Sequence, residues 1–188
     1  MLSRICEPTF DRDLLRMIDR SACPPVLIVG FNRPHTTTRV LESLRAAKPA
    51  RVFFAVDGPR PDAVEDASRV DKVQSLVSLI DWDCEVQTLF RSNNLGCKLG
   101  VSSAISWFFQ QVDAGIILED DCIAHPSFFP YVRELLGRYA VDERLLMISG
   151  NNFQADRRKP ADSYYFSRYA HIWGWATWRR AWQHYDHE

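Results

Sequence analysis

Val26-Leu27-Ile28-Val29-Gly30-Phe31 is apolar at every position, and Asn32-Arg33-Pro34 breaks the run at once. A short run without alternation predicts a strand buried on both faces, ending in a loop. Outward from it the pattern continues in kind. Residues 36–46 carry Val40, Leu41 and Leu44 on one side, which predicts a helix stopped by Pro49. Residues 52–56 predict a second buried strand, closed by Asp57-Gly58-Pro59. Apolar residues at 70, 73, 76, 77 and 80 predict a helix over 64–80, followed by a strand at 85–90 and an Asn- and Gly-rich loop at 91–96. A helix at 101–112, a short buried strand at 115–118 running into Glu119-Asp120-Asp121, a helix from 126 or 127 to about 139, and a strand at 145–149 complete the series. Phe10, Leu14 and Ile18, four apart, predict a helix over 10–20 before Cys23-Pro24-Pro25. The alternation predicts an α/β domain over 25–188, a mostly parallel sheet with helices on both faces, preceded by a helical lead-in at 1–24. No repeat, linker or low-complexity tract divides it.

Composition narrows the function classes. The 188 residues suit one globular domain, and 46% apolar content argues against disorder. With 23 Lys and Arg against 24 Asp and Glu, no face-wide basic field for nucleic acid is implied, though a local patch stays open. No apolar run approaches the roughly 18 residues of a membrane span, so membrane association is peripheral at most. Arg4, Glu7, Asp11, Arg12 and Asp13 come before any apolar stretch, unlike a secretory signal. The five cysteines (6, 23, 84, 97 and 122) contain no Cys-x-x-Cys pair, which fits neither a disulfide framework nor a zinc module and suits a reducing, cytoplasmic compartment. Most of them are expected to be buried and inert.

Ligands of such sheets bind beyond the carboxyl ends of the strands. Those ends carry Asn32 and Arg33, Asp57 and Gly58, residues 91–94, and Glu119, Asp120 and Asp121. Acids, an Arg and Asn side chains on one rim suit a phosphate-bearing ligand with a divalent cation. The acidic triplet alone reads more readily as a solvated turn than as a metal site. Its place at the end of a buried strand favours hard oxygen ligation of Mg²⁺ or Mn²⁺ bridging phosphates, completed by water. Asp57 is also good turn chemistry, and Arg33 is also a plausible loop residue; its guanidinium fork matches phosphate oxygens. Asn94 and Lys98 are weaker candidates for the same ligand. Neither Gly-x-Gly-x-x-Gly nor a P-loop sequence follows the first strand.

Four strings in order carry a family resemblance: Val-Gly-Phe-Asn-Arg-Pro at 29–34, Val-Asp-Gly at 56–58, Glu-Asp-Asp at 119–121 with Pro-Ser-Phe-Phe-Pro-Tyr at 126–131, and Trp-Gly-Trp at 173–175. Together they resemble the GT-A (Rossmann-like) fold of nucleotide-sugar glycosyltransferases, closest to the N-acetylglucosaminyltransferase I type and bacterial family 2-like enzymes. The resemblance implies a metal-dependent, inverting hexosyl- or N-acetylhexosaminyl-transferase that uses a nucleotide-sugar donor, expected to be a UDP-sugar, and a glycan or glycolipid acceptor, in polysaccharide biosynthesis. It implies that Arg33 contacts the diphosphate and Asp57 the base, that the segment from Lys98 lines the nucleoside pocket, and that Asp121 ligates the metal. Glu119 and Asp120 would reach the ribose and sugar, with Glu119 also counted in the metal set. Trp173, Gly174 and Trp175 would form the sugar and acceptor floor.

Four of the six tryptophans crowd into 173–182. Trp175, Trp178 and Trp182, spaced by three and four, predict a helical packing stripe. Trp173 lies outside it and offers an aromatic face to a sugar ring, beside a glycine that permits close approach. His171 reads as structural. The chain is expected to be truncated at the C-terminus, because the family's base would lie further downstream; of the final carboxylates Asp186 is a weak candidate. A sugar-phosphate nucleotidylyltransferase would need a Gly-rich first loop, and a phospho-receiver domain would need paired acids after the first strand, where Asn32 and Arg33 stand. A nucleotide-sugar binding module without catalysis remains the main alternative.

Overall fold

The computed structural model describes residues 23–153 and 162–186, so the helix expected at 10–20 lies outside the described residues. Strand β1 (Val26–Gly30) leads into helix α1 (Pro34–Leu44), which starts on a proline whose missing N–H costs nothing in a first turn. Strand β2 (Arg51–Val56) is followed by α2 (Val64–Ser75) and a 3-10 turn (Leu76–Leu79), which together fill the span expected as one helix. Strand β3 (Glu85–Phe90) matches its expected bounds, and α3 (Gly96–Phe109) begins five residues before the expected start. Strand β4 (Ala114–Glu119), helix α4 (Phe128–Arg138), β5 (Ile148–Ser149), β6 (Trp175–Trp178) and α5 (Arg179–Trp182) follow. No helix among the described residues is long and apolar enough to cross a membrane.

The six strands form one sheet in the order β3-β2-β1-β4-β6-β5. β1 to β4 are mutually parallel, with Gly30 beside Val56, Val56 beside Phe90 and Val29 beside Glu119. β6 runs antiparallel to both β4 and β5. Side-chain alternation divides the core by face. Val26, Ile28, Val52, Phe54, Ile116 and Leu118 pack toward α1, α2 and α4, while Leu27, Phe53, Ala55 and Ile117 pack toward α3. Phe53 meets the rings of Trp107 and Phe108 edge-on, at 5.4 and 4.9 Å between centroids. Only glycine fits at position 115, because a Cβ there would overlap the Phe108 ring and lie 2.8 Å from the Pro25 carbonyl.

The tryptophan segment departs from its expected helical stripe. Residues Trp175–Trp178 form strand β6, and a spacing of three on a strand sends the two rings to opposite faces. Ala176 and Trp178 enter the α4 side of the core; Trp175 packs on the α3 side with Trp182. Trp178 is 3% exposed, donates from Nε1 to the Leu136 carbonyl at 3.1 Å and lies under the Arg180 guanidinium. Pairing with β4 overrides the 3.6-residue periodicity, and Trp and Thr suit a strand intrinsically.

This placement makes a contrast measurable by urea unfolding. Trp178→Ala should lower stability by about 3–5 kcal/mol, as for a large ring removed from a core. Trp173→Ala, at a side chain 65% exposed, should stay within about 0.5 kcal/mol of the parent protein.

Candidate functional site

Because β1 to β4 are parallel, the four strand ends read from the sequence share one rim. The connection from β3 to β4 passes to the far side of β1, so the strand order reverses between β1 and β4, which is where a crevice opens in such sheets. The register of Val29 with Glu119 brings Arg33 to the acidic triplet. Arg33 donates from Nε to Asp120 Oδ2 at 3.3 Å, from Nη2 to Asp120 Oδ1, and from Nη1 to Asp121 Oδ2 at 2.8 Å. All three guanidinium nitrogens are therefore engaged. The two arms differ: the Asp120 side chain is 4% exposed, that of Asp121 46% and that of Arg33 51%. An exposed pair of the Arg33–Asp121 kind is worth at most about 1 kcal/mol, whereas removing a partner from a buried one strands a charge.

The charge states follow the same asymmetry. Burial pushes the Asp120 carboxyl up while hydrogen bonds and charge from Arg33 pull against it. Burial, reinforced by Asp121 and Asp120, raises Glu119 as well. The hydrogen bond to Asp120 holds Arg33 above its ordinary value. Asp120, expected at a ribose, is thus placed beneath Arg33 with both oxygens occupied.

Asp57 sits at the end of β2 as a loop organiser. Its carboxylate accepts from the backbone N–H groups of Gly58, Leu95 and Gly96 and from Asn94 Nδ2, at 3.0–3.1 Å. It satisfies donors that open α3, which explains why that helix starts early. Asn94 spends its amide on Asp57 and on the Gly58 carbonyl at 2.8 Å. Lys98, in the first turn of α3, is exposed, and no ion pair reaches it among the described residues.

Sequence reasoning passed over Asp66. Although it stands in the first turn of α2, it is 2% exposed. Its oxygens accept from Asn32 Nδ2 at 2.7 Å and from Arg60 Nε and Nη2 at 2.6 and 3.1 Å. The loops after β1 and β2 are tied to α2 through this one carboxylate. Its signal was faint: an acid in a helical first turn reads as a dipole partner on a solvated face.

Beyond the acidic triplet a cavity of about 980 Å³ opens between α4, β5 and residues 163–174. Asp121, Asn151, Trp173 and Gly174 line it, together with Phe128, Tyr131 and Tyr164. Gly174 adopts φ of +76°, and its carbonyl accepts from the Gly150 N–H at 2.9 Å, which turns the chain into β6. Asn151 Nδ2 donates to the Trp173 carbonyl at 2.5 Å. Trp175 does not line this cavity, since its ring faces α3. β6 runs away from the triplet, pairing Trp178 with Ala114 at the start of β4, and Asp186, further along the chain, is not among the residues lining the cavity. His171 packs its ring on Phe153 at 4.7 Å between centroids.

Among the described residues the four cysteines are free. Burial pushes the Cys23 thiol up to about 12 and that of Cys122 to about 11, which removes both as nucleophiles near neutral pH. Cys97 is exposed rather than buried.

No group of three or more His, Cys, Asp or Glu side chains forms a metal cage among the described residues. The donor set does suit Mg²⁺ or Mn²⁺ held in the usual way for phosphate chemistry, by one or two carboxylates completed by water and phosphate oxygens. Asp121 is the accessible member, and Arg33 already supplies a cation at its Oδ2. No protein-family model matches the chain, and no curated protein is significantly similar to it.

The Asp66 network predicts an acid-sensitive fold. Hydrogen bonds from Arg60, then from Asn32, hold the Asp66 carboxyl well below the usual carboxylate range despite its burial. Folding favours its ionised form, so its contribution is present above the ordinary value of about 4 and is lost as pH falls below that. Thermal melts from pH 6 downward should show Asp66→Asn less stable than the parent at the upper end, with the two curves converging as the pH drops. Parallel curves would contradict this role.

Proposed function

We propose that this protein is a GT-A glycosyltransferase that moves a sugar from a nucleotide diphosphate sugar, a UDP-sugar, to a hydroxyl of a glycan or glycolipid acceptor. The observation that carries this reading is the meeting of Arg33 with residues 119–121 at the β1–β4 switch point, next to a cavity with an aromatic wall. Of the four strings that carry the resemblance, those at 29–34, 56–58 and 119–121 lie at the strand-end rim, and Trp173 and Gly174 of the fourth line the cavity.

In this reading Arg33 clamps the diphosphate, and Asp120 fixes the direction of its fork from below. The loop that Asp57 and Asn94 organise, with Lys98 at its exposed side, forms the nucleoside end; Asn32, tied to Asp66, shapes the wall between. Asp121, with Glu119 behind it, would hold Mn²⁺ or Mg²⁺, which when bound supplies positive charge opposite a departing diphosphate. Trp173 offers its face to a sugar ring above the turn at Gly174. In a single displacement the acceptor oxygen forms its bond to the anomeric carbon as the bond to the diphosphate breaks on the opposite face, and a carboxylate takes the acceptor proton. Among the described residues Asp121 is the one acid lining the cavity, and the weak candidate Asp186 is not part of that lining. That observation favours, as the second reading, a domain that binds nucleotide sugars without turning them over. The cytoplasm is the proposed site of action.

Calorimetric titration with UDP, with and without Mn²⁺, tests the donor site. UDP should bind at least tenfold more tightly with Mn²⁺, and Asp121→Ala should abolish that gain, about 1.4 kcal/mol or more. Unchanged metal dependence in Asp121→Ala would remove the metal assignment.

A further inference from the structure

Arg33 and a divalent cation have overlapping claims on Asp121. In this structure Nη1 of Arg33 lies 2.8 Å from Asp121 Oδ2. A cation ligated by that oxygen and a guanidinium bonded to it would stand within a few ångström of each other, so one must give way. The two arms of Arg33 are unequal. Nε and Nη2 are held by Asp120, whose side chain is nearly buried, while Nη1 reaches an Asp121 that is about half exposed. The arm that yields is therefore the outer one. An incoming phosphate offers two or more oxygens to the outward N–H groups of the fork, better partners than one exposed carboxylate oxygen. Arg33 can pivot toward it while Asp120 retains the inner edge.

We propose that Arg33 is a latch that reserves Asp121: it occupies the metal-ligating carboxylate in the free protein and releases it when a nucleotide diphosphate takes its outer edge, so that metal binding becomes conditional on nucleotide. The inference rests on the donor-site reading above and adds an order of events to it. By linkage, the factor by which UDP tightens Mn²⁺ is the factor by which Mn²⁺ tightens UDP. Part of that factor comes from direct contact between cation and phosphate; the latch adds the release of Asp121.

Electron paramagnetic resonance of free Mn²⁺ measures this without any activity. The parent protein and Arg33→Gln are titrated with Mn²⁺ alone and with Mn²⁺ at saturating UDP. The latch predicts that the parent binds Mn²⁺ alone at least tenfold more weakly than with UDP. It predicts that Arg33→Gln binds Mn²⁺ alone threefold or more tightly than the parent, with no gain when UDP is present. Removing a positive charge by itself would tighten Mn²⁺ equally in both conditions, so an equal gain overturns the latch, as does no gain at all. Arg33→Lys serves if the Gln variant gives no cooperative melt: its compact ammonium lacks the fork that spans both carboxylates, and it should shift in the same direction. If the parent binds no Mn²⁺ even with UDP, the donor-site reading fails and the latch falls with it; if it does bind and the variants do not shift, the latch alone fails.

Discussion

The parallel register between β1 and β4 is the constraint on which the rest of this molecule depends. By setting Val29 beside Glu119 it carries Arg33, four residues further along, to two carboxylates 87 and 88 positions away in the chain. The burial of both strands makes the register hard to slip, since a shift by one residue would turn Ile28 and Leu118 out of one core and Leu27 and Ile117 out of the other. A polar cluster at a sheet edge is costly unless its members satisfy one another. Here Arg33 does so for Asp120, as Asp66 does for Asn32 and Arg60.

Two kinds of carboxylate result. Asp57, Asp66 and Asp120 are structural in the sense that their oxygens are filled by protein donors that position loops or a guanidinium. Asp121 is half exposed, faces the cavity and holds Arg33 by one hydrogen bond. A ligand arriving at the rim meets one carboxylate that can be released cheaply and three that keep the site in shape. Such a division suits a site that must be preorganised yet admit a charged ligand, because the supporting groups need not move when it binds.

Much of this was legible in the sequence where local pattern and tertiary context agree. Buried strands such as residues 26–30 and 52–56 announce themselves by composition and punctuation, and their parallel arrangement follows from alternation with helices. That logic also places Asn32, Arg33, Asp57 and residues 119–121 on one rim. It fails where a distant partner decides. Trp175 and Trp178 look helical until β4 recruits them into a strand, and α3 starts early because Asp57, 39 residues upstream, accepts from Gly96. Asp66 escapes a sequence reading because its partners, Asn32 and Arg60, are brought to it by two separate loops.

The central claim is that a nucleotide diphosphate occupies the crevice between the ends of β1 and β4. Hydrogen–deuterium exchange of the protein with and without UDP and Mn²⁺ reads this most directly, since it locates the ligand on the chain. The account predicts slowed exchange at residues 31–37 and 119–122, with a smaller effect at 57–60 and 94–98. Protection confined to other regions, or none at UDP concentrations well above saturation in a binding assay, would contradict it.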